Sequence, residues 1–554
     1  MIRELQPRST VALVAWLRNG LAAAVAYQLV KISRRFIRWY CTPLWKLPGP
    51  RRTFWLGTFV EVMKAPFMEP HFKWWDEAAS PSQSREDVDM IHYTGFTGHS
   101  SVAILNADFV KQILVANYRA PRYAKKFFNI ERLLGRGLVT LEGEDWHRHR
   151  RIIHPSFQAG FLKTSLSASV PQRVNTLIEC WKKAGADRPI NASSHFSMLT
   201  LDILGNVAYA HDFHGMQSVQ AWVHQSQQEG KSIGDIPPVS DRLIKAMNAS
   251  FRASPKRMLL GMLGLGFMDF ESTRTRATLN EAVDEVVENA RKRYDRRNAA
   301  IPSNDKDAGK SSSKYTAKSL LELLLNAKDT EPDQSSKAAP SRAFNSKELR
   351  DEVKTFLIAG HETTSTWCYW AVFCMCKHPE IQERLYQDIM KHCGSSDVMD
   401  LDTIEQMSYF DAFLQEVLRY YSPVGMIIRH TVQEETYGKT AIPPNTRLVI
   451  PTYLIHRSPR YWKNPDEFLP ERWLDDETPY SHPYAYLPFS AGPRNCIGYR
   501  FATMEAKLIL APIIRAIRFE LVPELRETEF SLTSYITVKA KPTVLVNAKP
   551  RTKN

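Results

Sequence analysis

"FSAGPRNCIG", residues 489–498, sets one cysteine, Cys496, among two glycines, an arginine and an aromatic residue. The fold turns on what that cysteine does. A thiolate that ligates a metal must stay ionised, and backbone N–H groups at a helix start, backed by the helix dipole, favour the ionised form. The residues that follow, "IGYRFATMEAKLIL", carry helical periodicity, so Cys496 is expected at a helix N-terminus. Gly492 and Gly498 permit a tight turn and the close approach of a flat ligand face. Arg494 can pair with an anionic group on that ligand, and Phe489 can shield the sulfur from water.

The other cysteines narrow the reading. Seven are scattered at 41, 180, 368, 374, 376, 393 and 496 of 554 residues, an odd number with no regular spacing. That argues against a disulfide-stapled secreted fold and for a reducing compartment. Cys374 and Cys376 have no second pair or histidine cluster to complete a zinc site and read as packed helix residues. A single cysteine ligand suits haem iron better than zinc, because the porphyrin supplies four other donors. At 44% hydrophobic residues the chain has enough apolar material for a large core.

Upstream, Asn345 and Glu348 form a capping-box pattern ahead of a proline-free run, "ELRDEVKTFLIAGHETTSTWCYWAVFCMCKH", that ends before Pro379. In its middle lies "AGHETT", residues 359–364. Gly360 costs about 1 kcal/mol relative to alanine inside a helix, and a local widening of the helix around a ligand is the expected reason for it. The zinc-protease pattern HExxH fails, because Ser365 stands where the second histidine belongs. What remains is a carboxylate, Glu362, beside a hydroxyl, Thr363, equipment for passing protons into a dry pocket; an exposed polar stripe is the alternative.

Next comes "EVLR", residues 416–419, whose i, i+3 spacing puts Glu416 and Arg419 on one helix face. Glu288 and Arg291 show the same spacing, so the order of segments carries the weight. "NPDEFLPERW", residues 464–473, follows and supplies Arg472 ahead of Cys496.

Taken in this order, the segments resemble those of the cytochrome P-450 superfamily. Phe489, Gly492, Arg494, Cys496 and Gly498 match its FxxGxRxCxG haem-binding loop without a departure. "AGHETT" is similar to its oxygen-activating motif, "EVLR" to its ExxR, "FLPER" to its PERF-type segment, and "WHRHR", residues 146–150, to the WxxxR of an earlier helix. The resemblance runs from about Pro48 to the C-terminus. It implies a mainly α fold with a smaller β region, and a long central helix over haem b. Cys496 would be the thiolate ligand of the iron. Trp146, Arg150, Arg429 and Arg494 would bind the haem propionates. Glu362 and Thr363 would form the acid–alcohol pair, and Glu416, Arg419 and Arg472 a buried structural triad. The activity implied is monooxygenation, with electrons from NADPH through a separate flavoprotein NADPH–cytochrome P-450 reductase, because residues 41–554 are consumed by the haem domain.

The rest of the chain bears on location. A net charge of +14 suits an acidic partner, and with no nucleic-acid signature present the membrane surface and an acidic protein are favoured over nucleic acid. Residues 10–30, "TVALVAWLRNGLAAAVAYQLV", are about long enough to span a bilayer, but Arg18 and Asn19 interrupt them, leaving a spanning and an interfacial helix both open. Lys31, Arg34, Arg35 and Arg38 follow, which by the positive-inside rule keeps the globule cytosolic. Residues 1–40 therefore read as a membrane-anchor helix with a basic flank and 41–554 as the catalytic domain, and the resemblance, to the microsomal type of the family, implies the membrane of the endoplasmic reticulum. Residues 258–270 are expected either in the bilayer surface or in the core, and 300–345 as surface loops around one short helix.

Residues matching the family's pocket positions, Phe127, Phe128, Phe356, Ala359 and 424–428, are mainly apolar and imply a hydrophobic, lipid-like substrate such as a fatty acid or sterol. In many fatty-acid omega-hydroxylases of this branch a glutamate stands at the position of Ala359 and esterifies the haem, which alanine cannot do. Two other functions stay open at this point: a reductase-independent haem-thiolate isomerase or dehydratase, and a non-enzymatic membrane haem-binding protein.

Overall fold

Residues 364–375 are buried without exception, which for a helix means a place at the centre of the core rather than on its rim. They belong to α5 (Ser346–Lys377) of the computed structural model, whose other helices include α1 (Pro7–Tyr40), α2 (Gly143–Ile153), α3 (Ala159–Ala184), α4 (Ala192–Leu204), α6 (Ser408–Tyr420) and α7 (Tyr499–Ala516). These labels count only the elements used below. The structure describes residues 7–50, 54–79, 84–95, 98–116, 123–124, 130–229, 241–252, 260, 269–299, 319–326, 343–393, 399–475, 477–534 and 536–551. The capping box expected at Asn345 forms: its side chain accepts from the Glu348 N–H at 2.9 Å and Glu348 accepts from the Asn345 N–H at 2.8 Å.

The β region is smaller. Strands β1 (Met90–Thr94), β2 (Ser100–Ile104), β3 (Tyr123–Ala124), β4 (Ile427–Thr431) and β5 (Arg447–Ile450) make a sheet in the order β1-β2-β5-β4-β3. Only the β2–β5 pair is parallel. A hairpin of β6 (Ser531–Ser534) and β7 (Val538–Lys541) lies near the C-terminus. It reaches α5 through the Trp370 Nε1–H, which donates to the Val538 carbonyl at 2.7 Å. The mainly helical architecture with a long central helix is as expected.

Gly360 has a different reason from the one its sequence context suggests. α5 stays regularly α-helical through it, without widening. A Cβ on Gly360 would lie 2.9 Å from Leu204 Cδ1 of α4, so the glycine is there to let two helices meet. The Thr200 hydroxyl of α4 donates to the His361 carbonyl at 3.0 Å across the same crossing. A widened, π-helical turn does occur beside it, at Gly205–Tyr209 on the end of α4.

The N-terminal region forms one helix, α1, as far as Tyr40. No helix among the described residues is long and apolar enough to cross a membrane. The far end of α1 is fastened to the globule by aromatic rings: Phe36 and Trp39 meet Phe54 at 5.0 and 5.6 Å, and Trp39 meets Trp45 at 5.0 Å. Phe127 and Phe128 lie outside the described residues, as does most of 258–270 and of 300–345. The short helix expected in the latter stretch is present at Leu320–Asn326. All seven cysteines are free, and Cys374 is packed in α5 as expected.

The crossing at Gly360 is testable. Gly360→Val should destabilise the protein by about 1–3 kcal/mol through overpacking, measured as a shift in denaturation midpoint. Leu204→Ala in the same chain should return part of that loss, and strictly additive effects would refute the contact.

Candidate active site

The loop before α7 closes on itself. The Cys496 N–H donates to the Phe489 carbonyl at 2.9 Å and the Asn495 N–H to the Gly492 carbonyl at 3.0 Å. Gly492 has φ +70°, and a Cβ there would come within 2.3 Å of the Leu114 carbonyl oxygen, so the neighbouring backbone demands the glycine. Gly498 is the N-cap of α7 at φ −90°, a conformation open to other residues. Its contribution is its N–H, which bonds the Cys496 side chain. The Cys496 side chain is exposed although protein atoms crowd around it. That crowding pushes its thiol pKa up, and the Gly498 N–H and the Arg150 charge pull it back down. The buried thiols Cys368 and Cys374 sit well above the usual range, pushed up first by burial and then by the neighbouring carboxyls of Glu505 and Glu416 respectively.

The loop and the middle of α5 share an aromatic wall. Phe489 meets Trp367 of α5 edge-on at 6.1 Å, and Phe157 meets Phe356 of α5 at 5.9 Å while lying 3.7 Å from where a Gly498 Cβ would be. On α5 the burial breaks here: Ala359 is exposed and Gly360, Glu362 and Thr363 are half-buried.

Positive charge is gathered beside the loop. Arg429, on β4, is 6% exposed, and its one hydrogen bond among the described residues runs to the adjacent Ile428 carbonyl at 2.9 Å. Burial first, and neighbouring Arg494 second, bring its pKa down to about 10, with Glu142 acting the other way. The Arg494 guanidinium lies 4.3 Å over the Trp146 ring, donates to the Leu141 carbonyl at 2.8 Å and is 3.5 Å from Glu142. Buried guanidinium charge outweighs the carboxylate facing it, which suits a ligand carrying anionic groups. Arg150 is placed differently: both its donors go to Asn495, at 3.1 and 2.8 Å, bracing the cysteine loop. An exposed cysteine at a helix start, with under-compensated arginines alongside, fits a flat group bearing carboxylates and a metal that takes one thiolate.

Glu362 and Thr363 do not bond to each other. The Thr363 hydroxyl donates to the Ala359 carbonyl one turn back, at 2.7 Å. Glu362 Oε1 is 2.8 Å from Lys539 Nζ of β7 and accepts from the Thr537 hydroxyl at 3.0 Å. Burial alone would raise the Glu362 pKa; Lys539, His361 and the Thr537 hydroxyl outweigh it and hold the carboxyl below its ordinary value.

Glu416, Arg419 and Arg472 come together. Glu416 and Arg419 are fully buried and bonded through two parallel contacts, Arg419 Nη2 to Oε1 at 2.8 Å and Nε to Oε2 at 2.9 Å. Arg472 Nε adds a bond to Oε1 at 3.1 Å. Burial by itself would raise the Glu416 pKa, but the arginines and the Leu469 N–H hold it down.

Sequence reasoning missed several participants. Trp473, next to Arg472, gives Glu416 Oε2 another donor at 2.9 Å, and the motif's own neighbour was the available signal. Lys539 and Thr537 had no local signal. Glu505 of α7, two turns beyond Cys496, is fully buried with neither oxygen in normal hydrogen-bond geometry. Burial pushes its carboxyl to about 8 despite the nearby Thr364 hydroxyl, so it is neutral at pH 7.

The chain matches the family pattern described as Cytochrome P-450 over residues 51–546. It is 27% identical to cytochrome P-450 4V2 of Mus musculus over 453 residues, 81% of this chain and 80% of that protein. Against cytochrome P-450 4A2 of Rattus norvegicus identity is 29% over 425 residues, 76% of each. Against cytochrome P-450 4c21 of Blattella germanica it is 30% over 423 residues, 74% of this chain and 77% of that protein. The crystal structure of the cytochrome P-450DA haem domain superposes with a TM-score of 0.70 at 21% identity, covering 91% of this chain and 98% of that one, which bears on the fold.

Two measurements probe this region. Glu416→Ala leaves Arg419 buried without its carboxylate and should cost about 3–5 kcal/mol of stability, read from the denaturation midpoint; a loss under about 1 kcal/mol would show that the network is dispensable. For Glu505 the folded pKa is raised, so its share of stability is fully present below about 4.5, falls as pH rises towards about 8 and is level above that. Glu505→Gln should lack that fall, so the difference in midpoint between the two proteins should change as pH rises from about 4.5 to about 8, and parallel curves would refute it.

Proposed function

The chain belongs to the cytochrome P-450 family and is a haem-dependent monooxygenase, and from that premise we propose that it oxygenates a hydrophobic, lipid-like substrate at a membrane with electrons from NADPH delivered by a flavoprotein reductase. The observation that carries the proposal is the pairing of the exposed Cys496, at the start of α7, with the one-sided opening of α5 at Ala359–Thr363. When bound, haem supplies the electron-transfer and dioxygen chemistry.

The chain's own residues divide the remaining work. Cys496 ligates the iron, and the Gly498 N–H and Arg150 favour the thiolate form it needs. Arg429, Arg494 and Trp146 hold the haem carboxylates, while Arg150 steadies the loop from Asn495. Glu362 and Thr363 carry protons into the site. The Glu416–Arg419–Arg472 cluster is structural. Ala359 offers a methyl group where an ester-forming carboxylate would stand, so the haem is held without a covalent link through this position.

A lipid-like substrate is supported by apolar Phe356 and Ala359 on α5, by the exposed Val424 and by the half-buried Ile427 and Ile428 at the start of β4. Membrane association is supported by exposed Leu29, Val30, Ile37 and Tyr40 of α1 together with Trp55, Leu56 and Met63 of the segment it packs on. The basic cluster at 31–38 favours a cytosolic face of the endoplasmic reticulum for the catalytic domain, residues 41–554, behind an anchoring segment, 1–40. Reductase docking is supported by the excess of positive charge, which steers an acidic protein surface.

The carbon-monoxide difference spectrum of the dithionite-reduced protein should show the strongly red-shifted Soret band of thiolate-ligated haem. Cys496→Ala should lose that band, and an unchanged spectrum would remove Cys496 as the ligand. A lipid panel incubated with reductase and NADPH should yield a hydroxylated product; NADPH consumption indifferent to every lipid would overturn the substrate class.

A further inference from the structure

A partly open cavity of about 280 Å³ lies where the start of α4 faces α5 and β7, lined by Asn191, Ser193, Ser194, Ser197, Tyr369 and Lys539 among others. Its wall mixes hydroxyl, amide and ammonium groups with apolar surface that includes Met198 and Ala540, and at about 30 Å³ per molecule it has room for several waters. Lys539 belongs to this wall and is also the residue whose ammonium lies 2.8 Å from Glu362 Oε1 on α5. Its side chain is 32% exposed and that of Glu362 20%, and of the two it is Lys539 that lines the cavity. The charged and titratable groups around Glu362 are Lys539 from β7 and His361 from α5, the latter 3.9 Å away with its pKa lowered first of all by burial. Thr537 donates to the same Glu362 oxygen, and the Thr366 hydroxyl reaches Thr537 at 3.0 Å, which fixes the carboxylate against the hairpin.

We propose that this cavity is the solvent end of the proton route serving Glu362, and that Lys539 is the positioning residue that holds the carboxylate at its wall. The proposal rests on the reading of Glu362 and Thr363 as proton carriers. In the step it describes, a hydronium ion in the cavity gives one proton to a Glu362 oxygen: an O–H bond breaks in hydronium, one forms on the carboxyl, water is left behind and no electrons move. Lys539 stays charged throughout. Once neutral, Glu362 keeps only an ordinary hydrogen bond to the ammonium in place of a charge-assisted one about twice as strong, and it is freed to turn towards Thr363. When it has passed the proton on, its restored charge draws it back to Lys539. The ion pair therefore releases the acid only while it is loaded.

The test needs neither a known substrate nor a reductase. Haem-loaded protein is photoreduced and mixed with oxygenated buffer in H₂O or D₂O; the return of the oxidised absorption spectrum gives a rate and a solvent isotope effect. Lys539→Met should at least double the isotope effect, and Lys539→Arg should restore it. Ser197→Phe, which fills the cavity and leaves the ion pair in place, should act like Lys539→Met. If Glu362→Gln changes the isotope effect while Lys539→Met and Ser197→Phe do not, the cavity route is overturned and the acid–alcohol reading stands. If Glu362→Gln leaves it unchanged, that reading falls and takes the route with it. Denaturation midpoints provide a measure independent of oxygen chemistry: Lys539→Met and Glu362→Gln should combine non-additively, and additive shifts would show that the pair does not form in solution.

Discussion

The buried carboxylate of Glu416 is the constraint on which the rest of the site depends. A fully buried charge survives only when its hydrogen-bonding capacity is filled, and here Arg419, Arg472, Trp473 and the Leu469 N–H fill it. Arg419 then spends its other donors on the carbonyls of His456, Pro465 and Glu467. His456 passes the constraint onward. Its Nδ1 meets the Arg419 carbonyl at 3.1 Å and its Nε2 accepts from the Leu487 N–H at 2.9 Å, two residues before the cysteine loop begins. Burial, first of all, keeps that imidazole neutral by lowering its pKa to about 3, so the ring can accept on one side and donate on the other. The position of Cys496 is thus set by a chain of polar contacts that begins on α6.

How far this was legible in the sequence depends on how local the cause is. The cap at Asn345, the helix after Cys496 and the Glu416–Arg419 pair are encoded within a few residues, and each forms where its spacing places it. The glycines show the limit. Gly360 stood out as an anomaly and Gly492 read as a turn glycine, but the neighbours that crowd them, Leu204 and the Leu114 carbonyl, lie 156 and 378 residues away along the chain, and no local rule names them. Lys539 is the extreme case: an ordinary lysine in a short strand, given meaning only because the hairpin returns to α5. Residues 10–30 show a different limit: their patterning placed a helix, which forms, and left open whether it spans a bilayer or lies on its surface.

α5 is asked to do two incompatible things, and its composition divides them. Its C-terminal half is a core helix with Trp367, Trp370 and Phe373 buried in aromatic contacts, rigid because every side is packed. Its middle keeps Glu362 ionised and Ala359 bare, which no close-packed core would accept. The compensation comes from the hairpin: Lys539 and Thr537 satisfy the acid, and the Thr363 hydroxyl turns back onto its own helix. Without that strand, the same helix would carry an unpaired, half-buried carboxylate at its centre.

The arginines beside the cysteine loop have a consequence for how the protein matures. Arg494 is held close enough to Arg429 to lower its proton affinity, and among the described residues Glu142 is the carboxylate that acts against this. The polypeptide alone therefore folds against a local repulsion, which the carboxylates of haem would relieve if these arginines hold them as proposed. Any ligand that binds the native and not the unfolded state adds its binding free energy to stability, and here part of that gain is relief of a penalty already present. Haem uptake then becomes a stage of folding, and the abundance of intact protein in a cell is tied to cofactor supply as well as to the chain's own synthesis.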